Sequence, residues 1–353
     1  MAHPEINNKT LYHFEPLFLQ DEELQPQFVG LVKAAFRIQP GDIGPVIPMK
    51  EQIPAVLAGE FNGEPDKSSY KYEPECTPFK LNTDIVFIGT AKAPNENMTQ
   101  FDCGFRVGEY TKLARIFGNR VWFKDVVGLT ISDPEIVTEM PLTYENSFGG
   151  FDTSIELKHG HPFEQRNPVG KGYHNNKNNS IPLSPLPNIE DPINLITNYT
   201  DCPAPVGFGF TSPNWLPRKL LSGTYDEKWE KTRSPKLPLD FNPLFFNAAS
   251  QQMIAKGYLQ GNELVHVYNA SPWPKLMFKL PAISAPTINV KQKNGTSFLL
   301  NTVLDTVIVN TDEMLLFLYY RTRAKLNNGP HDVAQIDITV ADVNKMETSK
   351  FQP

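Results

Sequence analysis

Proline is the residue that most restricts how this chain can fold. The sequence contains 32 prolines among 353 residues, roughly twice the usual frequency of about 5%. Each proline fixes φ and lacks the amide donor that a helix interior or a central strand requires. Because prolines at this density interrupt long helices, the chain must be built from short elements joined by ordered turns and loops.

Short apolar segments separated by turn residues occur on both sides of the middle third. Residues 28–38 and 83–91 are apolar and β-prone, whereas Gln100–Val107 alternates between apolar and polar residues. Asn294-Gly295, within 287–300, is a strong signal for a hairpin turn. The pattern predicts a mainly β protein, with antiparallel sheets arranged as a sandwich or a barrel.

Weaker signals predict further elements. Gly-Asn dipeptides predict hairpins within 115–123 and 257–268, and alternation at 336–340 predicts a strand that closes an edge. An Asp-Pro start predicts a short helix at 191–196, and a following Gly predicts another at 245–256. The expected fold therefore has a few short helices beside its sheets.

The middle of the chain, residues 141–243, is dense in Pro, Gly and Asn but also carries many aromatic residues. Disordered linkers contain few aromatics, so this segment is predicted to form long, ordered loops packed over a sheet. The sequence is accordingly divided into an N-terminal extension (1–24), a main domain (25–325, comprising 25–140, the loop-rich insertion 141–243, and 244–325) and a C-terminal strand and tail (326–353).

Charge, cysteine content and hydropathy exclude several classes of protein. The formal net charge of −6 argues against a nucleic-acid binder, which needs a clustered positive surface. No apolar run approaches the roughly 20 residues of a membrane span, and the start lacks the features of a signal peptide. Three widely spaced cysteines suggest neither a disulfide framework nor a zinc site. We therefore expect a cytoplasmic protein.

Candidate chemistry is sparse. His159 and His161 could chelate a metal from one face of a strand, with Glu156 or Glu164 as a further ligand, which leaves a metal-dependent hydrolase as an alternative. The opposing interpretation is that both histidines are loop residues. Since no Gly-x-Ser-x-Gly elbow is present, the sequence predicts a protein that is not an enzyme and that binds no cofactor or metal.

Aromatic and arginine residues in the insertion are a different signal. Trp, Tyr and Arg anchor protein interfaces because they bury a large area and keep a polar group. The competing interpretation is that these side chains attach the long loops to the sheet. The residues predicted to contact a partner are Phe148, Tyr173, Trp215, Arg218, Tyr225 and Trp229.

An ordered series of motifs resembles one bacterial family. The motif at 141–152 contains Phe148-Gly149-Gly150, and further matches lie at 33–36, 80–86, 167–173, 186–190, 205–209, 215–218, 223–229 and 245–249. Over about residues 25–325 the chain resembles domain of unknown function family 2169, whose genes occur among type VI secretion clusters. It departs from that family at Asn146 and Ser147, where a basic residue and Ala are common, and at Tyr320, where Trp is usual.

The resemblance implies an accessory protein of type VI secretion. Such a protein acts as an adaptor or chaperone that holds a toxic effector, often one carrying a PAAR tip domain, and helps load it on the spike. The expected partners are therefore that effector and the spike protein, with no nucleic acid and no membrane. A second alternative is a structural part of the spike that is itself exported.

Overall fold

A computed structural model describes residues 4–41, 43–126, 128–158, 160–175 and 183–340. Strands make up 40% and helices of all types 8% of the chain, which confirms the prediction of a mainly β protein with antiparallel sheets. The described strands do not close into a barrel. In the same residues, no helix has both the length and the apolar character needed to cross a membrane.

The strands are short, as the proline content requires, and they alternate with long loops. In chain order they are β1 (Glu5–Asn8), β2 (His13–Gln20), β3 (Pro26–Ile38), β4 (Val46–Pro48), β5 (Glu60–Phe61), β6 (Tyr70–Tyr72), β7 (Asp84–Ile88), β8 (Thr90–Lys92), β9 (Gln100–Val107), β10 (Tyr110–Phe117), β11 (Trp122–Lys124), β12 (Leu129–Ile131), β13 (Glu139–Pro141), β14 (Phe148–Gly149), β15 (Lys171–Gly172), β16 (Ile189–Glu190), β17 (Leu264–Tyr268), β18 (Lys275–Lys279), β19 (Thr287–Gln292), β20 (Ser297–Asn301), β21 (Val303–Asn310), β22 (Leu315–Lys325) and β23 (Val333–Thr339).

The described helices are short as well. The one α-helix, α1, spans Glu227–Thr232 and begins at an Asp226 side chain that accepts the Trp229 amide. The remaining turns are 3₁₀ helices at Tyr144–Asn146, Arg218–Ser222, Pro243–Phe246, Gln251–Met253 and Gly329–Asp332.

Three larger sheets form the body of the protein. One has six strands in the order β2-β3-β22-β21-β7, with β4 paired to β3 at its edge. The others have the orders β16-β10-β9-β17-β18 and β1-β23-β19-β20. Most neighbours are antiparallel, but β7 pairs with β21 and β1 pairs with β23 in parallel.

The six-stranded sheet is buried on one face by the two other large sheets. Phe87 of β7 contacts Phe105 of β9, with ring centroids 4.8 Å apart. Farther along the same face, a Cβ on Gly30 of β3 would lie 2.4 Å from Ile288 Cδ1 of β19. A single apolar core therefore runs through all three sheets, in a layered arrangement of sheets.

The opposite face of the six-stranded sheet carries a row of polar residues among apolar ones such as Ala35 and Phe317. Lys33 pairs with Tyr319, Tyr319 with Thr306, and Thr306 with Asp84, so one polar row crosses four adjacent strands. Residues paired directly across neighbouring strands project to the same face. This row is the base of a buried charge cluster described below.

Two predicted helices are wrong. Residues 191–196 form only a turn, in which the Asp191 carboxylate accepts the Ile193 amide. Residues 245–256 contain parts of two 3₁₀ helices separated by extended backbone. There, the Ala248 carbonyl accepts the Thr211 amide, so the backbone pairs with a distant segment instead of continuing a helix.

Two predicted hairpins are also wrong. Strand β10 pairs with β9 and β16, and β11 pairs with β12, because the Gly118 amide donates to Thr99 and the Glu135 amide donates to the Asn119 carbonyl. In 257–268, only β17 forms, and it pairs with β9 and β18. Strand β23 is not an edge strand, because β1 from the N-terminal segment pairs with its outer side.

Candidate functional site

Several loop segments meet around a groove of about 730 Å³. We call it the aromatic groove. It lies between the β5–β6 hairpin, the Phe-Gly-Gly motif and the segments around 163–170 and 212–215. Its lining consists of Phe61, Asp66, Lys67, Ser68, Tyr70, Gly150, Phe151, Phe163, Pro168, Val169, Gly170, Ser212, Pro213, Asn214 and Trp215.

Close backbone contacts explain the second glycine of the Phe-Gly-Gly motif. Gly150 has φ +88°, and a Cβ there would lie 2.3 Å from the Gly170 carbonyl oxygen. Its amide donates to the Asn167 carbonyl over 2.8 Å, and its carbonyl accepts the Glu164 amide over 3.0 Å. Only glycine combines this backbone conformation with such a close approach.

The motif at 167–173 is joined to the Phe-Gly-Gly motif as one unit. The Asn167 side-chain amide, fully buried, donates to the carbonyls of Tyr144 (2.8 Å) and Phe148 (2.9 Å). Strands β14 and β15 then pair in parallel. These contacts fix the wall of the groove.

Aromatic rings lie along both walls, exposed on this wall and half-buried on the opposite one. Phe151 and Phe163 keep 53% and 42% of their surface exposed, and their ring centroids are 5.2 Å apart. Phe61 stacks on Tyr70 at 4.4 Å across the β5–β6 hairpin. Apolar rings grouped on a surface are typical of a binding site.

Of the six residues predicted to contact a partner, Phe148 and Trp215 are buried, with 2% and 4% of their surface exposed. Trp215 packs edge-on against Tyr144 at 5.2 Å and contributes to the floor of the groove. Phe148 lies in a small satellite core and contacts the half-buried ring of Tyr173 at 6.5 Å. Both large rings attach the loops to the fold, as the competing interpretation proposed.

Arg218 is buried too, so in this structure it is not a surface anchor. Its guanidinium forms an ion pair with Glu73 and donates to the carbonyls of Phe245 (2.8 Å) and Thr211 (2.7 Å). Burial raises the pKa of the Glu73 carboxyl, and the charge of Arg218 opposes that rise. The arginine thus fastens the insertion to the segment before β7.

Tyr225 and Trp229 are placed at α1, outside the lining of the groove. Tyr225 is 52% exposed, and its ring meets Trp229 edge-on at 4.7 Å. The Trp229 indole donates to the Lys236 carbonyl over 2.9 Å. A partner-binding role for these two residues and for Tyr173 stays a prediction. The sequence interpretation missed Phe61 and Phe163, whose neighbours in sequence carry no interface signal.

Buried charged side chains form a second assembly on the face of the six-stranded sheet that carries the polar row. Lys33, 1% exposed, contacts Glu75 at 2.9 Å and donates to the Pro54 carbonyl over 2.9 Å. The Tyr319 hydroxyl donates to the same Glu75 oxygen over 2.7 Å, and the other oxygen accepts the Val56 amide. Both carboxylate oxygens of Glu75 therefore accept hydrogen bonds from within the protein.

The neighbouring pairs complete this assembly. Lys80 contacts Asp84 at 2.7 Å and the Thr306 hydroxyl at 2.9 Å, and Arg321 contacts Asp305 at 2.5 Å. The adjoining cavity measures about 20 Å³, which has room for little more than one water. We name this assembly the buried charge cluster; it consists of Lys33, Glu75, Lys80, Asp84, Asp305 and Arg321.

The charges in the cluster balance, three cations against three carboxylates, and each has a partner at 2.5–2.9 Å. Residues of the motifs at 33–36 and 80–86, together with the late Arg321, meet here although they are far apart in sequence. With its charges compensated and space for no substrate, the cluster organises the fold.

Among the described candidate metal ligands, His161 and Glu164 contact different partners. His159 lies outside the described residues. His161 is exposed, and its Nδ1 lies 2.7 Å from the Ile155 carbonyl oxygen, while both carboxylate oxygens of Glu164 are bound by Arg166. Within the described ranges, no group of three or more His, Cys, Asp or Glu residues is arranged to hold a metal ion.

Comparison with known proteins places the chain in one family. No curated protein and no solved structure matches it. A family model described as "Uncharacterized protein conserved in bacteria (DUF2169)" matches residues 23–321. That match covers most of the chain and agrees with the motifs at the groove and the buried charge cluster, and the chain therefore belongs to the DUF2169 family.

Proposed function

We propose that this protein is an accessory protein of type VI secretion, which binds a toxic effector as an adaptor or chaperone and helps load it on the spike. Membership of the DUF2169 family and the association of that family with type VI secretion clusters support this proposal. We include effectors that carry a PAAR tip domain among its clients.

The observation that carries the proposal is the exposed aromatic lining of the groove. Phe151 and Phe163 remain about half exposed in loops whose backbones are fixed by buried hydrogen bonds to Asn167 and Gly150. A rigid surface loses little conformational entropy on binding, so more of the contact energy appears as affinity. Such a groove suits an apolar segment of a client protein.

Chaperoning would follow from mass action. Binding of a client segment in the groove lowers the concentration of free client, which is the form that aggregates. The size of this decrease depends on the ratio of the concentration of this protein to the Kd. Transfer to the spike requires that the spike compete for the same client. The function therefore needs a finite affinity and no bond-making step.

The test is co-expression of the tagged protein with the effector encoded by the neighbouring gene, followed by affinity capture. We expect the effector to co-purify with the wild-type chain and to be lost from the double variant Phe151→Ser/Phe163→Ser. The matched control is Leu299→Ser, which removes a 65% exposed apolar side chain from β20 in a different sheet. A soluble effector that never associates with the wild-type chain contradicts the proposal.

Two further measurements separate the alternative functions. A stoichiometric transition metal in elemental analysis of the purified protein would favour the hydrolase that uses His159 and His161. Recovery of the protein from culture supernatant together with the spike would favour an exported structural component over a loading factor.

A further inference from the structure

A second, smaller cavity of about 160 Å³ lies between β10, the loop around 204–217 and the turn at 250–252. We call it the Lys112 pocket. Its mouth is formed by the exposed residues Ala204, Pro217 and Gln251, so the pocket opens to solvent. Its polar lining comes from Lys112, Tyr144, Arg166, Thr211, Ser250 and Gln252.

Lys112 brings an uncompensated positive charge into this pocket. Its side chain is 8% exposed, and its ammonium donates to the Gln252 side-chain carbonyl over 2.8 Å. In the described part of the chain, no carboxylate lies within 4.0 Å of that ammonium, and Asp191 acts on it only from a distance. Arg166, the other cation, is already paired with Glu164 through two hydrogen bonds.

A buried charge without a partner is costly, and proteins nearly always pair it. All cations of the buried charge cluster obey this rule, which makes Lys112 the exception among the buried lysines. Burial lowers the pKa of Lys112 to about 8, and the distant Asp191 carboxylate opposes that shift. The lining of the pocket therefore favours the binding of a negatively charged group.

Ser250 adds a second, independent observation. Its side chain is 7% exposed, and its Oγ is a buried hydroxyl with no hydrogen-bond partner among the residues that the structure describes. Nearby, the Tyr144 hydroxyl lies 3.1 Å from the Thr211 hydroxyl. A buried hydroxyl without a partner is unfavourable because it has lost its hydration. An oxygen of a ligand that accepts a hydrogen bond from the Ser250 hydroxyl would remove that cost.

We propose that the Lys112 pocket binds a carboxylate group, with the Lys112 ammonium as its charged contact and the Ser250 hydroxyl as a hydrogen-bond donor. A singly charged carboxylate neutralises one ammonium, whereas a doubly charged phosphate would leave a new buried charge. The pocket of about 160 Å³ has room for a carboxylate on a short carbon chain. The group comes either from a free small acid or from the end of a polypeptide.

The experiment uses the whole protein labelled with ¹³C at lysine, and follows the Lys112 Cε–Hε resonance, assigned by its absence in Lys112→Met. Acetate is titrated against chloride at constant ionic strength. We expect a saturable shift with acetate and none with the neutral isostere acetamide. Ser250→Ala should weaken acetate binding roughly fivefold, as for one lost hydrogen bond, whereas Lys71→Met, an exposed lysine in an ion pair with Glu313, should leave it unchanged.

A parallel titration with N-acetyl-alanine distinguishes the sources. A saturable shift with both probes supports a pocket that accepts a polypeptide terminus, and a shift with acetate alone supports a site for a small free acid. The absence of a saturable shift with either probe, or an equal shift with acetamide, overturns the inference. Since no effector takes part, the result is independent of the proposed function.

Discussion

The buried charge cluster and the aromatic groove use residues in opposite ways. In the cluster, charged groups that favour water are enclosed, and each is paired within the protein, as Lys33 is with Glu75 and Arg321 with Asp305. In the groove, apolar rings that favour burial are left at the surface, as Phe151 and Phe163 are. The first region has its charges compensated within the protein, and the second leaves apolar surface in contact with solvent.

This difference distinguishes residues that stabilise the fold from residues proposed to bind a partner. A satisfied buried network leaves no group free to bind a ligand, so changes there should act through stability. Exposed rings contribute little to stability and can bury their surface only against another molecule. The predictions below test this separation by free energy of unfolding on one side and by binding on the other.

The largest expected effect comes from breaking the cluster. Arg321→Met removes the partner of Asp305 and two hydrogen bonds to the carbonyls of Glu75 and Thr77. The remaining uncompensated buried carboxylate should lower the free energy of unfolding by about 3–5 kcal/mol, measured by urea titration.

The control for Arg321 is an exposed ion pair. Lys71→Met breaks the contact with Glu313, whose side chains are 34% and 48% exposed, and should cost at most about 1 kcal/mol. If Arg321→Met and Lys71→Met lower the free energy of unfolding by the same amount, the buried charge cluster is not a determinant of stability. The structural role assigned to the cluster would then be wrong.

The next effect concerns the wall of the groove. Gly150→Ala introduces a Cβ at φ +88° and 2.3 Å from the Gly170 carbonyl oxygen. Gly295→Ala introduces one at φ +87° with no heavy atom of the described residues within 4 Å, apart from its own chain neighbours. The shared left-handed backbone costs about 1–2 kcal/mol in both variants. The clash should raise the cost for Gly150 to about 3 kcal/mol or more, and thermal or urea unfolding of the pair measures the difference. Equal costs would mean that the motif glycine is required for its φ alone.

The sequence predicted the parts of the fold that depend on local alternation. Strand β9 has the predicted bounds, and the turn at Asn294-Gly295 joins β19 to β20 as expected. The helix predictions for 191–196 and 245–256 were wrong because side chains and distant segments satisfy the backbone groups there. A cap signal and a glycine therefore do not suffice where tertiary hydrogen bonds compete with a short helix.

The buried charge cluster and the aromatic groove were less accessible to sequence reasoning. Lys80 meets Thr306 across 226 residues and Tyr319 meets Glu75 across 244, and no local pattern encodes such pairings. In the insertion, the composition correctly indicated packed aromatics, but it could not distinguish the buried ring of Trp215 from the exposed ring of Phe163. That distinction depends on tertiary packing, since Trp215 packs against the buried ring of Tyr144, whereas Phe163 packs against the exposed ring of Phe151.

Lys112 allows a test that depends on pH, because its ammonium is buried and has no carboxylate partner among the described residues. Its pKa in the folded state is lowered to about 8, below its unfolded value of about 10.4. Between these values the unfolded chain binds more protons, so Lys112 should make the free energy of unfolding rise with pH from about 8 to 10.

The size of this contribution is about 2 kcal/mol over that window, and it should vanish in Lys112→Met. Urea titrations of both proteins at pH 7.5 and 10 provide the measurement. The difference between the two proteins isolates Lys112 from the buried tyrosines, whose raised pKa values act in the opposite direction above pH 10. A wild-type slope that persists in Lys112→Met contradicts the assignment.

The smallest expected effect on stability is also the sharpest test of the groove. Phe151→Ser removes a ring that is already 53% exposed, so the free energy of unfolding should fall by no more than about 1 kcal/mol. Phe148→Ser, three residues earlier, removes a ring that is 2% exposed and should cost about 3–5 kcal/mol.

If the Phe151 variant keeps the stability of the wild type and still captures the effector, the exposed ring is not the contact. The binding surface then lies elsewhere, and the Tyr225 and Trp229 pair at α1 is the next to be tested. If it keeps that stability and loses capture, the ring acts on the partner and not on the fold, because a folding defect would lower both readouts together.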